Sequence, residues 1–321
     1  MRALVHPVPH ALVALTVLAA TTAACTNGQD AARPQPPPAA AATTPTEPAA
    51  PPRAPVAATQ LESFPALSLD VLDPDKKAAF ARIVNEEICP CDCPKSFGAC
   101  LQEGTQCTPA VILAEWLAGQ LAEGVEEEIL AEQIAGEVSA FSSTPKRPAL
   151  DGYSKKGATS GKHVVVEYAD FECAHCKMAA PVVDDLARQL AGSVTFYYKH
   201  FPLSFHAMAK PAAEAVEAAG LQGKFWEMHD AVFATQSMLD DELLKGHAKA
   251  IGLDYPRWEQ DRATEAVKAR VAASRSEGEA IGIEATPTFL VNGRPFNLMR
   301  TPEAFQARFA MEDARASASC Q

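Results

Sequence analysis

The 321-residue chain has no excess of basic residues: 28 Lys and Arg stand against 40 Asp and Glu, a formal net charge of −12. It also has no basic cluster and no glycine-rich phosphate loop, which argues against nucleic-acid and nucleotide partners. The apolar run Ala11–Ala20 is too short to span a bilayer as a helix, which takes about 20 apolar residues. His200, His206, His229 and His247 show no ligand spacing and read as surface or packing residues. No metal and no cofactor is expected.

What the chain does have is cysteine, nine in all. Two of them close the stretch that organises the rest. His163-Val-Val-Val-Glu-Tyr-Ala169 is apolar and β-branched and predicts a buried strand. It turns through Asp170-Phe171-Glu172 into Cys173-Ala174-His175-Cys176, and a helical stripe of Met178, Val182, Val183, Leu186 and Leu190 follows. A Cys-x-x-Cys pair thus sits where a strand ends and a helix begins. Free N–H groups and the positive helix end there favour an anion. A free thiol titrates near pH 8.5, and such sites bring it to roughly 3.5–7.5. Cys173 is expected to be the nucleophilic thiolate and Cys176 the resolving thiol. His175 can add positive charge or a hydrogen-bond donor near the Cys173 sulfur. The other chemistry open to such a pair is half of a structural zinc site, which needs a second ligand pair.

Phe171-Glu-Cys-Ala-His-Cys176 resembles the active site of the DsbA-like thiol–disulfide oxidoreductases of the thioredoxin superfamily. The resemblance runs over about residues 162–312. It takes in Tyr198-Lys-His-Phe-Pro-Leu203, Pro211-Ala-Ala-Glu-Ala-Val216, Gly223-Lys-Phe-Trp-Glu-Met-His229 and Ala285-Thr-Pro-Thr-Phe-Leu-Val-Asn-Gly293. It implies an α/β, thioredoxin-like fold whose two halves are separated by a helical insertion, here residues 206 to about 275. It also implies a cis Thr286–Pro287 bond facing the cysteines, with the Thr286 backbone free to pair with an extended substrate. Glu167, an acid within the Val-rich strand, matches the family's buried acid. It is expected to have a raised pKa and to accept the Cys176 proton through water; the alternative is a solvent-facing strand-edge Glu. Thr288–Val291, Asn292-Gly293 and Arg294–Phe296 predict a tight β-hairpin.

The front of the chain reads as targeting sequence. Residues 1–24 predict a signal peptide, and Thr22-Ala-Ala-Cys25 resembles a bacterial lipoprotein signal with Cys25 as lipid anchor, on a membrane and leaning to the outer one. Residues 25–60 are rich in Pro, Ala and Thr and predict a disordered tether.

Residues 61–150 predict a small, all-α, cysteine-rich module of three helices. Its stripes are Phe80/Ile83/Val84, Ile112/Leu113/Trp116/Leu117 and Val125/Ile129/Ile134/Val138. Cys89, Cys91, Cys93, Cys100 and Cys107 are disulfide staples, a metal site or accessory thiols that exchange with Cys173 and Cys176. Their odd number leaves one over, or paired with Cys320. The layout weakly resembles the thiol modules of cytochrome c maturation. Residues 142–161 predict a plain connection.

The expected activity is thiol–disulfide exchange between Cys173–Cys176 and exported proteins in the envelope. The favoured direction is dithiol oxidation, with a membrane redox partner to restore the disulfide. The alternatives are a reductase or isomerase, linked to cytochrome maturation, and a non-catalytic binding lipoprotein on the same scaffold.

Overall fold

The computed structural model of the protein describes residues 63–65, 67–102 and 107–317. The predicted signal, Cys25, the tether and Cys320 lie outside the described residues.

Four helices come first. Asp73 caps α1 (Pro74–Glu86), accepting the Lys76 N–H at 2.9 Å, and Pro74 occupies the first turn, where no N–H is needed. A short α2 (Phe97–Gln102) follows. Next comes α3 (Thr108–Glu123), closed by Gly124 in the left-handed conformation at φ 87°, which a glycine adopts without cost. α4 (Glu127–Ser142) ends this region.

The sequence predicted three helices here, and α2 is the addition. It lies between paired cysteines: Cys89 bonds Cys100 and Cys91 bonds Cys107, each with Cα atoms 6.0 Å apart. These crosslinks bend the chain back on itself and give six residues a helical turn to settle in. Cys89, Cys91, Cys100 and Cys107 are thus paired as disulfides, and Cys93 is buried beside them.

The α/β part begins earlier than expected. β1 (Lys155–Gly157) lies in what the sequence suggested was plain connection. Then come β2 (His163–Ala169), α5 (Ala174–Gln189) and β3 (Val194–His200). Five helices form the insertion: α6 (Ala209–Gly220), α7 (Phe225–Ala234), α8 (Asp241–Ala250), α9 (Tyr255–Ala263) and α10 (Glu265–Ala280). β4 (Thr288–Val291), β5 (Arg294–Pro295) and α11 (Pro302–Ala314) complete the chain.

The five strands form one sheet in the order β1-β3-β2-β4-β5. β2 and β3 run parallel, and β1, β4 and β5 pair antiparallel with their neighbours. β2 is thus central and buried on both faces, which its near-continuous apolar run requires. The hairpin turns on Asn292 and Gly293, both at positive φ (49° and 82°).

A single apolar cluster runs from the first helices into the α/β part. Phe80, Ile83, Leu113, Leu117 and Val138 belong to the same cluster as Val165, Val183, Leu186, Phe289 and Phe305. The joint is also ionic. Arg308 of α11 and Glu137 of α4, both fully buried, form a short ion pair. Glu137 also accepts the Asn297 N–H at 2.8 Å. A second cluster packs the insertion against the turn that carries Phe171, Cys173 and Cys176.

Candidate active site

The turn after β2 is held from three sides. Asp170, fully buried, accepts the N–H groups of Glu172 and Leu203, each at 2.7 Å, and lies 2.8 Å from His206 Nδ1. Its own carbonyl accepts the Cys173 N–H at 3.1 Å. Gln236, just after α7, donates from Nε2 to the Phe171 and Cys173 carbonyls at 2.8 and 2.9 Å. Glu172 accepts the Met208 N–H at 2.5 Å. Phe171 packs among Tyr198, His200, His229 and Phe233. The result is a rigid platform, as a reactive group needs.

Cys173 is the N-cap of α5, and Cys176 is one turn in; both are free thiols and both are buried. The two sulfurs differ sharply. The Cys173 thiol is held down to about 5, chiefly because the Cys176 thiol donates to its sulfur; the backbone N–H groups of Cys176 and His175 add to this, against the cost of burial. The Cys176 thiol is pushed far up, first by burial and then by its role as donor to Cys173 and by the nearby charge of Glu167. The Asp170 N–H lies 3.5 Å from the Cys176 sulfur. His175 contributes its backbone here, and its imidazole is exposed.

Facing the sulfurs is the Thr286–Pro287 bond, which is cis. The Cys173 sulfur lies 3.2 Å from the Thr286 carbonyl oxygen. Arg300 braces this loop, donating to the Pro287 carbonyl at 3.2 Å. Glu167 is buried, and burial pushes its carboxyl up to about 8; Lys156 pulls it down and Asp184 pushes it up. It is no solvent-facing strand-edge acid. Among the described residues, the structure thus brings together Cys173, Cys176, Glu167, Thr286 and Pro287, and it keeps the front cysteines in their own cluster.

Asp170, Gln236 and Arg300 were not singled out from the sequence. Asp170 had one local signal, a polar residue at the start of a turn. Gln236 and Arg300 had none, since each reaches the site only through the fold. His206, read as surface or packing, is bound to Asp170.

A central sheet with a reactive dithiol at a strand–helix junction and a cis-proline loop opposite defines a thioredoxin-like thiol–disulfide site. Residues 154–309 match the family model described as thioredoxin, and this part of the chain is a thioredoxin-like domain. Among solved structures, BdbD from Bacillus subtilis is 21% identical, with a TM-score of 0.46, covering 54% of this chain and 98% of that one. A thioredoxin-like oxidoreductase from Silicibacter pomeroyi is 26% identical, with a TM-score of 0.44, covering 52% and 94%. Curated relatives carry a different name. The Na(+)/H(+) antiporter NhaA 3 of Salinispora tropica is 38% identical over 160 residues, 48% of this chain and 24% of that protein. NhaA of Herminiimonas arsenicoxydans is 35% identical over 202 residues, 62% of this chain and 32% of that protein. The chain thus spans about a quarter to a third of these relatives' length. Among the described residues, no helix is long and apolar enough to cross a membrane.

Proposed function

We propose that the protein is an extracytoplasmic dithiol oxidase, passing the Cys173–Cys176 disulfide to thiols of exported proteins. The observation that carries this reading is the opposed state of the two sulfurs. A Cys173 thiol near 5 is almost wholly thiolate at neutral pH. A stabilised thiolate favours the dithiol form and makes the disulfide a stronger oxidant.

The steps balance as follows. A substrate thiolate attacks the Cys173 sulfur and breaks the Cys173–Cys176 bond. This forms a substrate–Cys173 mixed disulfide, and Cys176 takes up a proton. A second substrate thiolate attacks the substrate sulfur, forming the substrate disulfide and expelling Cys173 as thiolate. Substrate loses two electrons and the protein gains them. A membrane redox partner removes them. In the reverse step Cys176 must lose its proton, and Glu167 is the acceptor. Thr286 and Pro287 hold the substrate backbone as an added strand.

Equilibration with glutathione, with the Cys173 thiolate followed by ultraviolet absorbance, tests this. The expected result is titration near pH 5 and a potential toward about −120 mV; a value near −270 mV with a thiol titrating near 7 would establish a reductant instead. In the same assay, Glu167→Gln is expected to leave the Cys173 titration in place. It should slow resolution by Cys176 roughly 10²-fold and abolish its inflection near pH 8. The folded carboxyl binds protons more tightly than the unfolded one, so wild-type stability falls as pH rises from 4.5 to about 8, and the Gln variant lacks that fall.

Cys25 is proposed as a lipid anchor holding the protein on an envelope membrane. Cys25→Ala should move it to the soluble fraction; retention on the membrane would exclude that anchor.

A further inference from the structure

Two positions break the helical pattern of burial. The stripe on α5 places Met178 inside and that on α4 places Ile129 inside, yet Met178 is 64% and Ile129 48% exposed. Neighbours fill the predicted places: Ala179 on α5 and Leu130 on α4 are buried. Each exposed side chain lines one of two cavities that share lining residues and together make up a trough. A cavity of about 390 Å³ starts at His175, passes Met178 and Ala179, and is walled by Gln133 of α4 and by Phe296–Arg300. A second, of about 360 Å³, shares Gln133 and Asn297 and continues to Ile129 and Glu132. The first cavity thus lies at His175, between the two cysteines in sequence, and the second lies on the helical front region.

Its walls are fixed to each other. The Met299 N–H donates to Gln133 Oε1 at 3.0 Å, and Asn297 Nδ2 donates to the Gly136 carbonyl at 2.9 Å. Gly136 permits this approach, since a Cβ there would lie 3.2 Å from the Asn297 Cβ. The Glu137–Arg308 pair anchors α4 from beneath. The far wall also holds the site: Arg300 lines the trough and donates to the Pro287 carbonyl.

We infer that α4 forms the outer wall of a substrate groove, binding the extended polypeptide segment that flanks the reacting cysteine of a protein substrate. This rests on the proposed function and deepens it. Continuity with the redox pair argues for this occupant. A segment held as a strand at Thr286, with its cysteine at Cys173, has its next residues over His175 and Met178. Exposed methionine suits varied partners, because its unbranched, polarisable side chain repacks readily. Ile129 then offers an apolar contact and Glu132 a negative charge at the far end, so segments with an apolar residue followed by a basic one are favoured. The helical front region is thereby a specificity element, not a spacer.

The test compares two substrates of the reduced full-length protein. One is oxidised glutathione. The other is the glutathione mixed disulfide of a synthetic peptide of about 12 residues with a central cysteine, about 40 Å when extended. In each case two electrons pass from the Cys173/Cys176 dithiol to the small disulfide, giving the protein disulfide and two free thiols. Ile129→Asp is expected to lower the ratio of peptide to glutathione rate constants about tenfold, the effect of losing about 1.4 kcal/mol of contact, with the change in KM. Ile129→Ser should lower it less, and Val71→Asp, exposed on the front region and lining neither cavity, should leave it unchanged. An unchanged ratio in Ile129→Asp, with wild type exchanging normally, overturns the inference alone. Equal loss on both substrates overturns it too. Wild type failing with both substrates overturns the proposed function and the inference with it. A concentration-dependent dimer abolished by Ile129→Asp would assign the trough to a second copy of the chain and overturn it as well.

Discussion

Cys173→Ser is expected to abolish exchange, by at least about 10³-fold, while Cys176→Ser accumulates mixed disulfides with substrate. The asymmetry follows from the two sulfurs. Only thiolate is a nucleophile, and the Cys173 thiol held near 5 is the one that supplies it at neutral pH. It is also the better leaving group, because the features that stabilise its anion lower its basicity. Serine offers an alcohol that no group at the site deprotonates. Cys176 lies deeper, its thiol pushed far up by burial, so it reacts only when a disulfide at Cys173 is presented to it. Without it the protein–substrate disulfide has no internal route to resolution. Non-reducing gels followed by mass spectrometry of the trapped species check both halves. Residual exchange in Cys173→Ser, or mixed disulfides mapping to Cys176, would reverse the assignment.

Arg308→Ala is expected to destabilise the protein by about 3–5 kcal/mol, because removing one member of a buried ion pair leaves the other uncompensated. For a protein of this size that lowers Tm by on the order of 10 °C. Glu137 would be left with the Asn297 N–H at 2.8 Å as its recorded partner, in a fully buried position. Arg308 also donates to the Pro295 carbonyl at 3.0 Å and to Glu312 at 3.1 Å, so the loss spreads into β5 and α11. Arg308→Met with Glu137→Leu should recover most of the stability, since a buried pair exchanged for apolar residues of similar volume is often neutral. Thermal unfolding checks this. A loss under about 1 kcal/mol in Arg308→Ala would mean that apolar packing alone holds the joint. Because α4 carries Gln133 and Ile129, the same substitution should also loosen the groove wall.

The placement of the cysteine pair was legible because it is set locally. The strand pattern of His163–Ala169, the turn and the stripe on α5 place Cys173 at a helix start without knowledge of the rest of the chain. The hairpin was legible for the same reason, Asn292-Gly293 being a backbone signal. Glu167 was half legible: an acid in a Val-rich strand raised the question of burial, and the structure answered it by placing β3 and β4 on either side. The staples were legible as a class but not as pairs. Spacing allows several connectivities, and only the folded path brings Cys89 to Cys100 and Cys91 to Cys107.

The sequence by itself determined what each segment becomes locally: a buried central strand, a cysteine at a helix start, an α1 capped by Asp73 with proline in its first turn, a cysteine-stapled front region. Those outcomes depend on backbone propensity, periodicity and neighbours a few residues away. Tertiary structure alone decided which faces meet. A stripe such as Ile83/Val84 states that a face is buried but not against what, and here the cluster reaches Phe305 on the far side of the chain. It also decided which apolar residues stay open. Met178 and Ile129 fit their stripes, yet both stay exposed, each lining a cavity where α4 meets the segment 296–300. Burial depends on the shape of both partners, and periodicity along one helix records only one of them.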